Sequence, residues 1–237
     1  MQRTGLLGSR WAPLVAGALA AAFQWLIWRS LNGVPVISDE ASYLLQAKLF
    51  AAFKWTAPAA PIREFFEQAH VLITPIIASK YPPGHALLLA LGAMVGKPGL
   101  VPVLLSGVTA GFLFAITRRL ANGPIAALAW LIWTFAPVPE GFRPSYFSEA
   151  TTAATWVGGW WALLRWRDDG RARWLVMLSL LTAWCAITRP LTAVAYSIPT
   201  GAVTLALIVR RRAWRQMMTA VAAGLVVVAI LPLWNWH

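Results

Sequence analysis

Long apolar stretches, separated by short arginine-rich segments, run through most of the chain. A helix needs roughly 20 consecutive apolar residues to cross a bilayer, and seven stretches approach or reach that length. They are residues 11–31, 98–117, 121–138, 147–164, 174–188, 190–209 and 214–233. This pattern predicts an all-α membrane protein with about seven transmembrane helices, arranged as a single module over residues 1–237.

A shorter apolar stretch, at residues 83–96, decides the predicted topology of everything after it. If it does not cross, the side that holds the N-terminus receives twelve basic and two acidic residues, and the other side receives eight basic and six acidic residues. If it does cross, Arg118, Arg119 and the basic run at 210–215 move to the opposite side. Because arginine and lysine concentrate in cytoplasmic loops, we predict a cytoplasmic N-terminus. We also predict an interfacial, tilted or re-entrant helix at 83–96 on the outer face.

The loop at residues 32–97 contains a second kind of pattern. Leu45, Leu49 and Phe53 recur every four residues within the segment 41–55, and the polar residues Gln46, Lys48 and Lys54 lie on other faces. This spacing predicts an amphipathic helix that lies on the membrane surface.

Capping residues and prolines predict where the helices of this loop begin. Ser38 is the predicted N-cap of the first helix, with Asp39 and Glu40 in its first turn. Residues 63–70 predict a second short helix. The run Pro82-Pro83-Gly84 opens the third, because proline is favoured in the first turn of a helix.

The composition agrees with a membrane protein. Hydrophobic residues make up 59% of the 237, the mean hydropathy is +0.64, and 12% are charged, about half the fraction of a soluble domain. The net charge of +12 comes from separate clusters between apolar stretches, so no nucleic-acid surface is predicted. Cys185 is the one cysteine and predicts a packed side chain without a disulfide. The first stretch carries Trp25 and Trp28 and is too long for a signal-peptide core, so we predict a retained helix.

The placement of ionisable residues indicates where chemistry takes place. None of the seven stretches has a charged residue near its centre, whereas ion-coupled transporters bind their ions at that depth. The acids fall instead at the predicted outer face, together with basic residues and histidines. The acids are Asp39, Glu40, Glu64, Glu67, Glu140 and Glu149, and the others are His70, Lys80, His85, Arg143 and Arg189. The sequence therefore predicts a site at the outer boundary between lipid and water.

The carboxylates of this group are candidates for general-base catalysis, which needs a carboxylate within hydrogen-bond reach of an acceptor hydroxyl. Asp39 and Glu40 follow the first stretch directly, and Glu149 opens a later helix. The alternative interpretation is that these acids only compensate the dipole at a helix start. That alternative is stronger for Glu149, which stands alone.

The cations of this group are candidates for binding a departing phosphate. Lys80 precedes a Tyr-Pro-Pro segment, and Arg189 precedes Pro190 between two apolar stretches. Their alternative roles are an interfacial anchor and a snorkelling turn residue. His70 and His85 are predicted to form hydrogen bonds, with binding of a divalent metal beside Glu40 or Glu149 as the weaker alternative.

Four segments in order carry a resemblance to a known family. They are Ser38–Ala47, Ser79–Leu89 with its Lys80-Tyr81-Pro82-Pro83 core, Ser145–Ala150 and Thr188–Pro190. The chain resembles the GT-C superfamily of glycosyltransferases that use polyprenyl-phosphate sugars, in particular the protein O-mannosyltransferases and the lipid-A aminoarabinose transferases.

This resemblance implies an enzyme of the bacterial inner membrane that transfers a sugar to a hydroxyl group. The donor is a polyprenyl-phosphate sugar, the acceptor is a glycan, lipid or protein at the outer face, and the anomeric carbon is inverted. It implies that Asp39 is the base and that Lys80 and Tyr81 lie near the lipid phosphate. Two departures stand out: Glu149 replaces the more usual aspartate, and the chain ends at His237, so we expect the family's C-terminal part to be absent.

Two other functions remain open from the sequence. A flippase or other transporter of lipid-linked saccharides would be favoured by mid-membrane charges or an inverted repeat, and neither is evident. A non-catalytic, truncated homologue acting in an assembly would be favoured by loss of the acidic pair, yet Asp39 and Glu40 are both present.

Overall fold

The computed structural model describes residues 6–30, 33–135 and 145–236, and it is 74% helical. In chain order the helices are α1 Ala12–Ser30, α2 Ser38–Ala51, α3 Gly84–Met94, α4 Leu100–Leu120, α5 Gly123–Phe135, α6 Glu149–Asp169, α7 Ala172–Ala186, α8 Pro190–Arg211, α9 Trp214–Val228 and α10 Ile230–Trp236. Each of the seven predicted stretches coincides with a helix or, at the C-terminal end, with the consecutive pair α9 and α10. The last part of the predicted 121–138 stretch, residues 136–138, lies outside the described ranges.

Four helical segments are both long and apolar enough to cross a membrane. They are Ala12–Arg29, Leu100–Leu120, Pro190–Arg211 and Trp214–Trp236. Helices α3, α5 and α7 are apolar but shorter, and α6 is 21 residues long with a more polar sequence. The chain is therefore an all-α membrane protein, as the sequence predicted.

Contacts at the helix ends show that the bundle has two distinct faces. Arg189, before α8, pairs with Glu149 at the start of α6, and Arg211, at the end of α8, donates to the carbonyl oxygen of Trp166 near the end of α6. Helices α6 and α8 therefore run in the same direction. At 1.5 Å per residue α6 is about 30 Å long. We call the end with Asp39, Glu40, Glu149 and Arg189 the acidic face and the opposite end the arginine face.

Helices α1 and α4 pack as close antiparallel neighbours. A Cβ atom added at Gly17 would lie 2.8 Å from the carbonyl oxygen of Gly107, so these two glycines let the backbones touch. At the arginine face Arg118 of α4 donates to the carbonyl oxygen of Ser9, just before α1. The segment 33–99 thus leaves and returns at the acidic face, which agrees with the prediction that 83–96 does not cross.

The start of α2 differs in detail from the prediction. The N-cap residue is Ile37, and Ser38 is the first residue inside the helix, so the predicted Ser38 cap is wrong. The backbone N–H groups of Val36 and Ile37 donate instead to the carboxylate of Glu40, three residues into the turn. A glutamate at N3 that reaches back to the N-cap N–H is one half of a capping box, whereas a capping serine would accept from the N–H groups of the first turn.

The stripe of Leu45, Leu49 and Phe53 that predicted an amphipathic α2 is not the side on which the helix packs against the protein. The helix ends at Ala51, and its fully buried side chains include the polar Ser42 and Gln46, while Phe53 after the helix is 88% exposed. Leu45 and Leu49 are half-buried. The packed side of α2 is therefore mixed: Tyr43, Leu44, Ala47 and Phe50 are buried beside Ser42 and Gln46, and the predicted stripe stays partly exposed.

The predicted helix at 63–70 is wrong except for a single 3₁₀ turn, Arg63–Phe65, and the segments before and after it form a small antiparallel sheet. Its strands are β1 Ala57–Pro58, β2 Val71–Leu72 and β3 Ile76–Ser79, with β3 in the middle. The amide of Gln46 donates to the carbonyl oxygen of Trp55 and accepts from the N–H of Ser79. These hydrogen bonds hold the sheet against α2. They join residues far apart in sequence, so the local hydrophobic pattern does not predict them.

Candidate active site at the acidic face

Asp39 lies in the first turn of α2 and is half-buried. Its Oδ1 atom is 3.2 Å from Nε2 of His70. A carboxylate can only accept, so this imidazole nitrogen carries a proton and donates. Burial, together with the hydrogen bond to Asp39, raises the pKa of the Tyr81 hydroxyl, which keeps Tyr81 a donor to the same carboxylate.

The main chain holds His70 firmly beside this acid. Its carbonyl oxygen accepts from the hydroxyl of Ser42 at 2.7 Å and from the N–H of Lys80 at 2.9 Å. The residue has a φ of 64°, in the left-handed region that side chains other than glycine seldom adopt. The ring stacks on Tyr81 with the centroids 5.2 Å apart. Strained backbone of this kind persists where surrounding contacts over-determine it.

Stacked aromatic rings continue from Tyr81 towards the other end of the site. The ring of Tyr43, from α2, stacks on Tyr81 at 4.7 Å with an interplanar angle of 19°. The Tyr43 hydroxyl donates to Oγ of Ser148 at 3.1 Å, and burial raises the pKa of this phenol. Arg189 Nε donates to the same Ser148 oxygen at 2.8 Å. A continuous series of contacts therefore links Asp39 to Arg189.

Arg189 and Glu149 form an ion pair at the far end of this series. Nη2 of Arg189 is 2.5 Å from Oε1 of Glu149, and both side chains are about 40% exposed. The second carboxylate oxygen of Glu149 is buried and has no hydrogen-bond partner among the described residues. Arg189 stands directly before Pro190, which opens α8, so the ion pair joins the starts of α6 and α8.

Glu40 faces the protein interior, although it follows Asp39 directly. It is 4% exposed, and its Oε2 atom accepts from two backbone amides before α2. Its Oε1 atom accepts from the N–H of Tyr146 at 2.8 Å. The carboxylate thereby ties the start of α2 to the chain that leads into α6, and it is closed to solvent.

His85 is fully buried behind the aromatic rings. Nε2 lies 2.8 Å from the carbonyl oxygen of Tyr146 and must donate to it, and Nδ1 lies 2.8 Å from the Thr151 hydroxyl. Burial lowers the pKa of His85 to about 4, so the ring is neutral at pH 7. Both nitrogens are occupied, and the ring therefore packs the site from behind, out of reach of a substrate or metal ion.

The remaining predicted site residues are less closely integrated. Lys80 is exposed, and its amine has no hydrogen bond or ion pair within the described ranges. It lines a groove of about 550 Å³ with residues 67–74 of the loop. Arg143 lies outside the described residues. In those ranges no group of three or more His, Cys, Asp and Glu side chains could hold a metal ion.

Sequence reasoning did not single out Tyr43 and Ser148, which connect the two ends of the site. Both stand inside the segments that carry the family resemblance, Ser38–Ala47 and Ser145–Ala150. Their position inside these segments is the signal that could have identified them.

A comparison with protein families places the chain. The family described as dolichyl-phosphate-mannose-protein mannosyltransferase matches residues 80–236, about two-thirds of the chain. The matched region contains Lys80, Tyr81, Glu149 and Arg189. No curated protein and no solved structure matches the chain significantly. The chain therefore belongs to the dolichyl-phosphate-mannose-protein mannosyltransferase family and is a membrane glycosyltransferase of the GT-C type.

Proposed function

We propose that this protein transfers a sugar from a polyprenyl-phosphate carrier to an acceptor hydroxyl at its acidic face. The observation that carries the proposal is the series of contacts from Asp39 through Tyr81, Tyr43 and Ser148 to Arg189. It places an accepting carboxylate and a half-exposed guanidinium in one connected site. Glycosyl transfer from a phosphate needs both groups, one for the acceptor proton and one for the leaving group.

The reaction is a single displacement. The acceptor oxygen forms a bond to the anomeric carbon as the bond from that carbon to the phosphate oxygen breaks. The acceptor proton passes to a carboxylate oxygen of Asp39 and then to water, and the polyprenyl phosphate leaves with the bonding electron pair. Attack opposite the leaving group inverts the anomeric carbon.

Asp39 suits the role of base because hydrogen-bond donors hold its carboxylate in place. No lysine or arginine of the described residues pairs with it. His70 donates to one carboxylate oxygen, and Tyr81 adds a second hydrogen bond. The side chain of Asp39 is half-exposed, so its carboxylate can still accept a hydrogen bond from the hydroxyl of an acceptor.

Arg189 suits the role of phosphate ligand because two neighbours aim it. Ser148 accepts from Nε and Glu149 accepts from Nη2. The remaining guanidinium N–H groups can therefore donate to a phosphate. We propose that Glu149 orients Arg189, in place of a direct part in proton transfer. The exposed Lys80 is proposed to add a second positive charge as the donor binds.

The proposed setting is the bacterial inner membrane, with the N-terminus in the cytoplasm and the acidic face towards the periplasm. Residues 1–237 then form one module, with the loop at 32–97 over the site. The excess of arginine at the opposite face supports this orientation.

The decisive experiment is transfer by the purified chain from a panel of polyprenyl-phosphate sugars, with mannose tested first because the family is named for it. We expect the product to have the inverted anomeric configuration, and NMR of the product measures it. Arg189→Ala should weaken donor binding about tenfold or more, since it removes a charge-assisted contact to the phosphate. A product with retained configuration, or donor binding without any turnover across the panel, would refute the proposal.

A further inference from the structure

A second cleft lies between α1 and α4 and is bounded by α6. It encloses about 670 Å³ and follows α4 from Leu104 to Arg118, a length of about 20 Å at the helical rise. Its floor is made of small residues where the two helices touch, including Gly17, Gly107 and Gly111. Apolar side chains such as Leu104, which is 59% exposed, form its rim. The cleft is long, apolar and open along one side.

Three arginines close this cleft at the arginine face. Arg10 comes from the turn before α1, Arg118 from the end of α4 and Arg165 from the last turns of α6. Arg118 is committed to the protein, because it donates to the carbonyl oxygens of Leu7 and Ser9. The three positive charges converge from three different elements.

Arg10 and Arg165 are held by aromatic rings without a carboxylate. The Arg10 guanidinium lies 5.0 Å from the ring centroid of Trp11, and that of Arg165 lies 5.3 Å from Trp174 and 5.9 Å from Trp161. Neither forms an ion pair with an acid within the described ranges. Tryptophan rings that flank basic residues are typical of the membrane interface.

The acids of this face are already engaged elsewhere. Asp168 pairs with Arg119 and Arg167, and Asp169 pairs with Arg171. The three arginines at the cleft therefore form no ion pair with the described residues, although Asp168 and Asp169 lie near enough to attract Arg165. Like charges gathered beside an apolar surface favour a bound anion.

We propose that this cleft binds one anionic phospholipid from the surrounding bilayer. Its phosphate lies among Arg10, Arg165 and the free N–H groups of Arg118, and one acyl chain lies along the cleft between α1 and α4. The bilayer supplies both parts at this depth, and basic pockets between transmembrane helices suit such head groups. The site is at the opposite end of the bundle from the proposed catalysis.

Native mass spectrometry of the full chain in detergent tests this proposal. The protein is titrated with phosphatidylglycerol or with phosphatidylcholine that has the same acyl chains, and we expect one phosphatidylglycerol to be retained at least tenfold more strongly. The double variant Arg10→Gln/Arg165→Gln should lose this preference by tenfold or more. The control Arg210→Gln/Arg215→Gln removes the same charge from the same face outside the cleft and should bind as wild type does.

A second variant tests the acyl part without changing any charge. Ala18 lines the cleft and is exposed, so Ala18→Phe fills the space and should also weaken retention of phosphatidylglycerol by tenfold or more. Soluble glycerol 3-phosphate should not displace the lipid. Equal retention of both lipids, an equal loss in the two double variants, or full binding by Ala18→Phe would each overturn the proposal.

Discussion

The chain contains two pairs of adjacent acids, and they are used in opposite ways. Asp168 and Asp169 end α6, where the helix dipole disfavours negative charge, and they are neutralised by the arginines around them. Asp39 and Glu40 begin α2, where the dipole favours them, and no lysine or arginine pairs with either in the described ranges. Their partners are His70, Tyr81, the Ser38 hydroxyl and backbone amides.

Asp168 and Asp169 are therefore occupied by ion pairs, whereas the first acidic pair can serve other functions. The oxygens of a carboxylate that is ion-paired with a guanidinium are occupied by that partner, whereas Asp39 has no lysine or arginine partner in the described ranges and its half-exposed side chain can accept from an acceptor hydroxyl. Within the acidic pair the roles divide again, since Glu40 is closed to solvent and Asp39 is half-exposed.

The largest effect is expected from a matched change in the two pairs. Asp39→Asn keeps the shape of the side chain and removes the base, so kcat should fall by roughly 100-fold or more at saturating donor. Asp168→Asn should leave kcat within about twofold, because that carboxylate lies at the far face. Donor affinity, measured separately, should change little in either variant. Normal turnover by the Asp39→Asn protein would end its assignment as base.

Lowering the pH should destabilise the acidic face through His85. Its folded pKa is about 4 against an ordinary value of 6.5, so between these values the unfolded chain binds a proton that the folded protein does not. The free energy of unfolding should therefore fall by about 3 kcal/mol as the pH drops from 6.5 to 4, with no contribution above 6.5.

Thermal unfolding of wild type and His85→Gln at pH 7, 5.5 and 4.5 measures this effect. The glutamine cannot take up a proton, so the difference in Tm between the two proteins should shrink as the pH is lowered. A constant difference at all three pH values would argue against a neutral buried imidazole.

Glu40→Gln should destabilise the fold by about 2 kcal/mol. It replaces a charged acceptor of three backbone amides with a side chain that accepts at one end only. At this chain length the expected drop in Tm is about 5 °C. The control is Asp169→Asn at the arginine face, which should lower Tm much less than Glu40→Gln does because the Asp169 carboxylate is exposed to solvent. An unchanged Tm for Glu40→Gln would show that the carboxylate does not hold α2 to the start of α6.

The smallest effect is expected from Ser148→Ala. It removes the oxygen that accepts from Tyr43 and Arg189 while the ion pair with Glu149 remains. The KM for the donor should rise about fivefold, the scale of one net hydrogen bond, and kcat should change less. Ser148→Thr keeps the hydroxyl and should restore the wild-type KM. A fall in kcat alone, with KM unchanged, would contradict the proposed link to Arg189.

The sequence by itself determined the class of the protein, the order of its helices and the residues that carry the family resemblance. Apolar length and arginine clusters are local properties, so they predicted the seven stretches and the return of the 32–97 loop to one face. The tertiary structure alone decided which acid faces solvent and which polar residues of α2 point inward. Asp39 and Glu40 are adjacent in sequence, and their fates differ because His70 and Tyr146, 31 and 106 residues away, supply their partners. Contacts over such distances leave no trace in local periodicity.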